Sequence, residues 1–285
     1  MAAAKIGVIG GTGLYQIEGM TDIQVVHVDT PFGETSDDIV TGQLMGTGVA
    51  FLPRHGRYHH LLPNEVPSLA NVYALKSLGV EFIIAINSCG SFRDDIKPGE
   101  LLVPDQVIDR TSGRRNTFFG EGVVAHVSMA DPFCSRLSQT IFKAAQSAGA
   151  AVHLGGTYIA MEGPAFSTRA ESNLYRSWGA SVIGMTVFPE AKLAREAEIC
   201  YASLCCVTDY DCWKEEHVTA DVIISCMQKN ISAAKEIIKL AVAHLPDRRD
   251  CQCASALETA IVTNPAGITL HQKRKYEFLI GKYVT

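Results

Sequence analysis

The sequence predicts an α/β protein, a single domain over residues 1–285 with a mixed central β-sheet flanked by helices on both faces. Three observations carry this expectation. Short apolar runs that read as strands alternate with longer runs that read as helices. No repeat and no linker-like shift in composition divides the chain, although its 285 residues allow one or two domains. Small and polar residues follow the apolar runs repeatedly, at 10–13, 54–60, 87–91, 162–167, 184–186 and 208–213. Open α/β sheets bind ligands in the crevice outside the carboxyl ends of their strands, so this recurrence points to one crevice.

Lys5 to Ile9 is a short strand that runs into Gly10-Gly11-Thr12-Gly13, where glycines let backbone N–H groups approach an anion. The spacing matches neither the dinucleotide fingerprint nor the P-loop, and a tight turn and a phosphate loop both remain open. Ile23 to Val28, Ile39 to Leu44 and Val49 to Leu52 read as strands. The last leads into Pro53-Arg54-His55-Gly56-Arg57-Tyr58-His59-His60, the densest cationic cluster in the chain. Arginine there suits bidentate binding of an oxyanion; a surface loop, or a metal site of His55, His59 and His60, are the alternatives. Pro63 to Leu78 has helical character, with Asn64 as a cap and Gly79 as the stop.

Val80 to Ile86 is a central strand ending in Asn87-Ser88-Cys89-Gly90-Ser91. Gly99 to Ile108 is a strand pair or a bent strand, Ser135 to Ala148 a helix closed by Gly149, and Gly156 to Met161 a strand ending in Glu162-Gly163-Pro164. Ser167-x-x-x-Glu171 opens a helix that stops at Gly179. Val182-Ile183 is a short strand before Gly184-Met185-Thr186, and Pro189 starts another helix. Val218 to Leu245 reads as a long amphipathic helix, and the segment 246–285 has no clear placement.

Ile199 to Val207 is a buried strand that delivers Thr208-Asp209-Tyr210-Asp211-Cys212-Trp213. Alternation along a strand turns Asp209 and Asp211 to one face and Tyr210 to the other. Repulsion and partial burial favour a proton on at least one carboxylate. A carboxylic acid that donates beside a carboxylate that accepts suits the edge of an amino-purine. A solvated strand end, a cap or a metal-binding D-x-D are the other readings.

Composition narrows the partners. Hydrophobic residues make up 47% and charged residues 19%, enough for a sizeable core. Net charge is −5 and the largest basic cluster is Gln272-Lys273-Arg274-Lys275, which argues against nucleic acid. The nine cysteines lie mostly in apolar runs with no C-x-x-C pair and no zinc spacing, which favours free thiols in a reducing cytosol. Cys251-Gln252-Cys253 reads as two ordinary thiols or a redox-sensitive pair. No apolar run reaches the roughly 18 residues of a membrane span, and the start lacks a signal-peptide pattern. A cytoplasmic location is expected, with the nucleus a second compartment open to such a chain.

In matching order from about Lys5 to Leu245, the chain resembles the 5′-methylthioadenosine phosphorylases, the adenine-handling branch of the trimeric purine nucleoside phosphorylases. The motifs are Gly10-Gly11-Thr12-Gly13, Pro53-Arg54-His55-Gly56, Met161-Glu162-Gly163-Pro164-x-Phe166-Ser167-x-Arg169-Ala170-Glu171, Gly184-Met185-Thr186 and Thr208-Asp209-Tyr210-Asp211-Cys212-Trp213. The tract Phe118 to Val123 is shorter than in that family. The resemblance implies attack of inorganic phosphate, as co-substrate, on the nucleoside, with no cofactor and no metal. Thr12, Arg54, His55 and Thr186 then hold phosphate beside Asn87 and Ser88. Phe166 lies on the purine, Ser167 and Asp211 address its edge, and Asp209 protonates N7. Met185 and His59 fall to the ribose and 5′ group, as do Ala220, Ile223 and Ile224, while His126 reaches the 5′ pocket of a neighbour in a homotrimer. Three alternatives stand beside this. A 6-oxopurine nucleoside phosphorylase carries Asn where Asp211 stands, because an amide can donate to O6. A non-catalytic nucleoside-binding protein would not break the bond, and a water-using nucleosidase would not need Arg54 and His55.

Overall fold

The computed structural model describes residues 4–11, 14, 17–214 and 220–284, with the backbone alone for 220–229. Thr12 and Gly13 lie outside the described residues. So do the side chains of Ala220, Ile223 and Ile224. The strands are β1 (Ile6–Gly10), β2 (Thr21–Val26), β3 (Ile39–Leu44), β4 (Thr47–Pro53), β5 (Phe82–Ser91), β6 (Leu101–Val103), β7 (Gln106–Arg110), β8 (Val152–Leu154), β9 (Thr157–Met161), β10 (Val182–Gly184) and β11 (Cys200–Asp209). The helices are α1 (Ser68–Ser77), α2 (Ser135–Ser147), α3 (Arg169–Ser177), α4 (Val187–Glu196), α5 (Ala220–Ala243), α6 (Leu270–Lys275) and α7 (Glu277–Ile280).

The strands form one mixed sheet with the path β2-β3-β4-β1-β5-β10-β9-β7, from which β11, β6 and β8 branch at β5. β5 is the hub. Its first half lies parallel to β1, with Phe82 opposite Ile6, and its end lies antiparallel to β10, with Ser91 opposite Val182. Along its length it lies parallel to β11, from Phe82 opposite Cys200 to Gly90 opposite Asp209, with a register shift between Val207 and Asp209.

Alternation along β5 and β11 sorts the core into two layers. Ile83, Ala85 and Cys89 share one cluster with Tyr201, Cys205 and Val207, and with α1 and α4 residues such as Leu75 and Leu193. Phe82, Ile84 and Ile86 share the other with Cys200, Ala202, Leu204 and Cys206, and with α2 and α5 residues such as Ile141 and Ile238. Both faces of these strands are therefore covered, which is why they read as unbroken apolar runs.

Some expected boundaries move. β5 continues through Asn87 to Ser91 instead of stopping at Ile86, because β10 and β11 pair with its polar end and satisfy that backbone. α1 starts at Ser68 after Pro67, so Asn64 caps nothing there. The N-cap of α3 is Thr168, not Ser167. Its hydroxyl accepts from the Glu171 N–H at 3.2 Å, and the Glu171 carboxylate accepts from the Thr168 N–H at 2.8 Å.

The segment beyond Pro246 docks against the sheet. Leu257, Ile268, Tyr276, Leu279 and Ile280 are buried in the α1/α4 layer. The buried Glu198 clasps the segment: its carboxylate accepts from the Leu257 N–H at 3.0 Å and the Tyr283 hydroxyl at 2.6 Å, and pairs with Lys282 at 2.5 Å.

Candidate active site at the strand ends

The carboxyl end of β11 sets the two aspartates, though not by strand alternation as expected. The strand stops at Asp209, and Asp211 opens a 3₁₀ turn at φ 50°. An Asx-type bond holds the pair, with the Asp211 N–H donating to Asp209 Oδ1 at 2.7 Å. The Thr208 hydroxyl lies 2.6 Å from Asp209 Oδ2 and 3.2 Å from the Cys89 carbonyl. A hydroxyl has one proton to give. The shorter contact assigns that proton to Asp209 Oδ2, which accepts it. Burial pushes the Asp211 carboxyl above the usual carboxylate value, and the Asp209 charge adds to this. Its direction agrees with the expectation from sequence.

Gly90 makes room for this turn. A Cβ built there would sit 2.8 Å from Asp209 Oδ1 and 3.2 Å from Asp211 Cβ. The turn is locked on its far side by Trp213, whose Nε1 donates to the Ser91 carbonyl at 2.7 Å under the Arg176 guanidinium, 3.7 Å from the ring centre. Cys212 Sγ contacts the Ser167 carbonyl at 3.2 Å, which brings Ser167, buried, beside the aspartates. Phe166, next to it, leaves half of its surface exposed.

At the neighbouring strand ends the Arg54 guanidinium is buried. Its Nε and Nη2 donate to the two oxygens of Glu190 at 2.5 and 3.1 Å, Nη1 donates to the Ile86 carbonyl at 3.0 Å, and Nη2 also reaches the Ile9 carbonyl at 3.5 Å. The Tyr201 hydroxyl donates to Glu190 as well, at 2.9 Å. The bidentate face of Arg54 therefore belongs to Glu190, and only one Nη1 hydrogen is left for an external anion. The fork expected for an oxyanion thus has an internal partner.

His55 is neutral at ordinary pH. Burial first, then the Arg54 charge, lower its pKa to about 4. Its Nδ1 is 2.9 Å from the Leu61 carbonyl, which can only accept, so Nδ1 carries the proton and Nε2 offers a lone pair. His59, at φ 51°, stacks on it with ring centres 4.6 Å apart. Thr186 donates to Asn87 Oδ1 at 2.6 Å, and Asn87 Nδ2 donates to Ser203 Oγ at 2.7 Å. In this arrangement the Thr186 hydroxyl proton points inward, not toward a ligand as expected.

Met185 lies against Gly163, where a Cβ would come within 2.5 Å of its sulfur. Ser88 is half-buried, its carbonyl close to Gly184. His126 is exposed, on a stretch whose backbone bonds Ala260 at 2.9 Å. Among the described residues its ring has no hydrogen-bond partner.

Two contributors were not foreseen. Arg114 donates to the carbonyls of Met185 and Phe188 on one side and of Met161 and Glu162 on the other, stitching the ends of β9 and β10 together. Glu190 is the counter-charge of Arg54. Neither lies in a glycine-rich or strand-end motif, so spacing gave no signal for them.

This crevice and sheet are those of a nucleoside-cleaving α/β enzyme class, and the family profile described as the phosphorylase superfamily matches residues 5–243. The chain belongs to that family. It is 57% identical over 282 residues to S-methyl-5′-thioadenosine phosphorylase of Geobacter sulfurreducens, covering 98% of this chain and 99% of the relative. The protein of that name from Koribacter versatilis is 52% identical, covering 98% and 97%. Among solved structures, a methylthioadenosine phosphorylase from an antarctic soil metagenomic library superposes with a TM-score of 0.94 at 47% identity, covering 98% and 99%. An adenosine/methylthioadenosine phosphorylase variant from Schistosoma mansoni, in complex with adenine, superposes at 0.86 with 36% identity, covering 91% and 99%.

Proposed function

We infer that the chain is a pentosyltransferase that cleaves 5′-methylthioadenosine with inorganic phosphate, releasing adenine and 5-methylthioribose 1-phosphate, and that it accepts adenosine as well. One observation carries the reading. Asn87, which holds Thr186, and Gly90, which accommodates Asp209, lie three residues apart on β5, a spacing of about 10 Å. We read that span as room for an anion on one side of a glycosidic bond and a base-handling acid on the other. The printed names of the relatives support the substrate, and the Schistosoma protein's name supports adenosine.

In this reading a phosphate oxygen attacks C1′ on one face while the C1′–N9 bond breaks on the other. Electron density moves into the base, and Asp209 delivers a proton to N7 through the bond geometry it shares with Thr208. Arg54 gives the phosphate charge and one N–H, and His55 Nε2 accepts from a phosphate O–H. Thr12, Thr186 and Ser88 complete the anion site. Phe166 and Ser167 place the base, and Asp211 reads its edge. Met185 and His59 lie at the sugar. Ala220, Ile223, Ile224 and a neighbour's His126 line the 5′ pocket. No cofactor enters the reaction, the assembly is a homotrimer, and the enzyme works in the cytoplasm.

The test incubates methylthioadenosine, adenosine and inosine, each with and without phosphate, and separates the free bases. Adenine released only with phosphate is the expected result. Release without phosphate makes the protein a nucleosidase, and binding without any release makes it a nucleoside-binding protein.

A further inference from the structure

Away from the crevice the fold collects four thiols from three distant parts of the sequence. The sulfurs of Cys134, Cys200, Cys251 and Cys253 all lie within 4.8 Å of one another. Cys200 and Cys251 are 3.3 Å apart. A tetrahedral ion with zinc–sulfur bonds of about 2.3 Å sets its sulfurs about 3.8 Å apart, so the four need only small shifts to surround one centre. Cys134, Cys200 and Cys253 are buried and Cys251 is half-buried.

Three independent elements hold the four thiols. Cys134 caps α2, and its N–H donates to the Tyr201 carbonyl at 2.8 Å. Cys200 begins β11, and its N–H donates to the Glu81 carbonyl at 2.9 Å. Cys251 and Cys253 belong to the 3₁₀ turn Gln252–Ser255 and its cap in the docked segment. We propose that these four cysteines form a structural site for one zinc-class ion, held through four thiolates, that fastens the segment beyond Pro246 to the sheet.

Ion binding sends the thiol protons to solvent, so uptake weakens as pH falls. A dication among four thiolates leaves negative charge, which Arg195 meets, with Nη1 3.8 Å from Cys253 Sγ, as does the N-terminus of α2. Cys200 and Asp209 occupy opposite ends of β11, about 30 Å apart. The ion therefore acts on the stability of the docked segment and not on turnover. No C-x-x-C spacing betrayed the site, because the ligands meet only after folding.

The full-length chain, purified without chelator under reducing, oxygen-free conditions, should contain about one zinc per chain by atomic emission. After metal removal, Co²⁺ should give thiolate charge-transfer and tetrahedral d–d absorption that added Zn²⁺ abolishes, and Zn²⁺ should raise the Tm. Cys251→Ser and Cys253→Ser should each weaken Zn²⁺ binding by at least the roughly 10–100-fold seen when a ligand merely loses its hydrogen-bond partner. A reduced wild-type chain that gives no tetrahedral cobalt spectrum overturns the proposal, whether or not its mass as purified shows disulfides. A cobalt spectrum unchanged in both variants overturns it too.

Discussion

Thr186 and Asn87 share a 2.6 Å hydrogen bond in which the hydroxyl donates and the amide oxygen accepts. Asn87 is buried, and Ser203 takes its other end. The amide thereby fixes where the Thr186 oxygen stands and where its proton points. Turning the amide over would place Nδ2 against Thr186 and release the hydroxyl proton toward an anion.

Asn87→Thr shortens that arm and leaves Ser203 without its partner. A net hydrogen bond is worth roughly 0.5–1.5 kcal/mol, so KM for phosphate should rise about two- to tenfold, with a lower Tm. Steady-state kinetics with phosphate and each nucleoside varied in turn checks this. Unchanged constants with an unchanged Tm would remove Asn87 from the site.

The aspartates should separate by role. Asp209→Asn removes the acid for N7 and should cut kcat by about 10²–10⁴-fold. Asp211→Asn keeps the shape but gains an N–H, and should move preference from adenosine toward inosine. Near-normal kcat in Asp209→Asn on methylthioadenosine would reverse the assignment.

His55 makes stability depend on pH. Its ordinary value is 6.5 and its folded value about 4. Between these, the unfolded chain takes up a proton that the folded chain refuses, so stability from this group is full above about 6.5 and is lost as pH falls toward about 4. Asp211, raised by burial, acts in the opposite sense. The Tm of His55→Gln should therefore fall less between those pH values than the Tm of the parent. An equal or steeper fall counts against a buried neutral His55.

Glu190→Gln strands the buried Arg54 charge, a loss of about 3–5 kcal/mol for a buried pair with one partner removed. Tyr201→Phe deletes one hydrogen bond to the same carboxylate and should cost about 0.5–1.5 kcal/mol. Thermal or urea melts of the two variants should rank in that order. Equal melts would mean that Arg54 finds water or another anion.

Assembly is checked by sedimentation. Three chains of 30.8 kDa should travel together, and His126→Ala should raise KM for methylthioadenosine while leaving KM for phosphate in place. An active monomer would end the role given to His126.

Legibility in the sequence followed local physics. β3 was readable from Ile39 to Leu44 because its pattern and its turn residues agree. Gly79, Gly149 and Gly179 each mark a helix stop and each has positive φ. The strand-end motifs were readable because small polar residues interrupt apolar runs. The continuation of β5 through Asn87 was not, since only pairing with distant β10 and β11 makes a polar stretch extended. Arg54 looked like a free fork because Glu190 stands 136 residues away. Arg114 bonds mainly to backbone carbonyls at the crevice, and such contacts leave no pattern in side-chain types. The gathering of Cys134, Cys200, Cys251 and Cys253 was invisible because these side chains meet only after folding.

Glu198 gives the docked segment a consequence for synthesis. Its partners at Leu257 and Tyr283 follow it by 59 and 85 residues. β11 thus emerges from the ribosome well before the groups that neutralise and bond this buried carboxylate exist. Until residues 257–283 have emerged, the nascent chain carries this carboxylate without its Leu257, Lys282 and Tyr283 partners, beside an uncovered apolar layer.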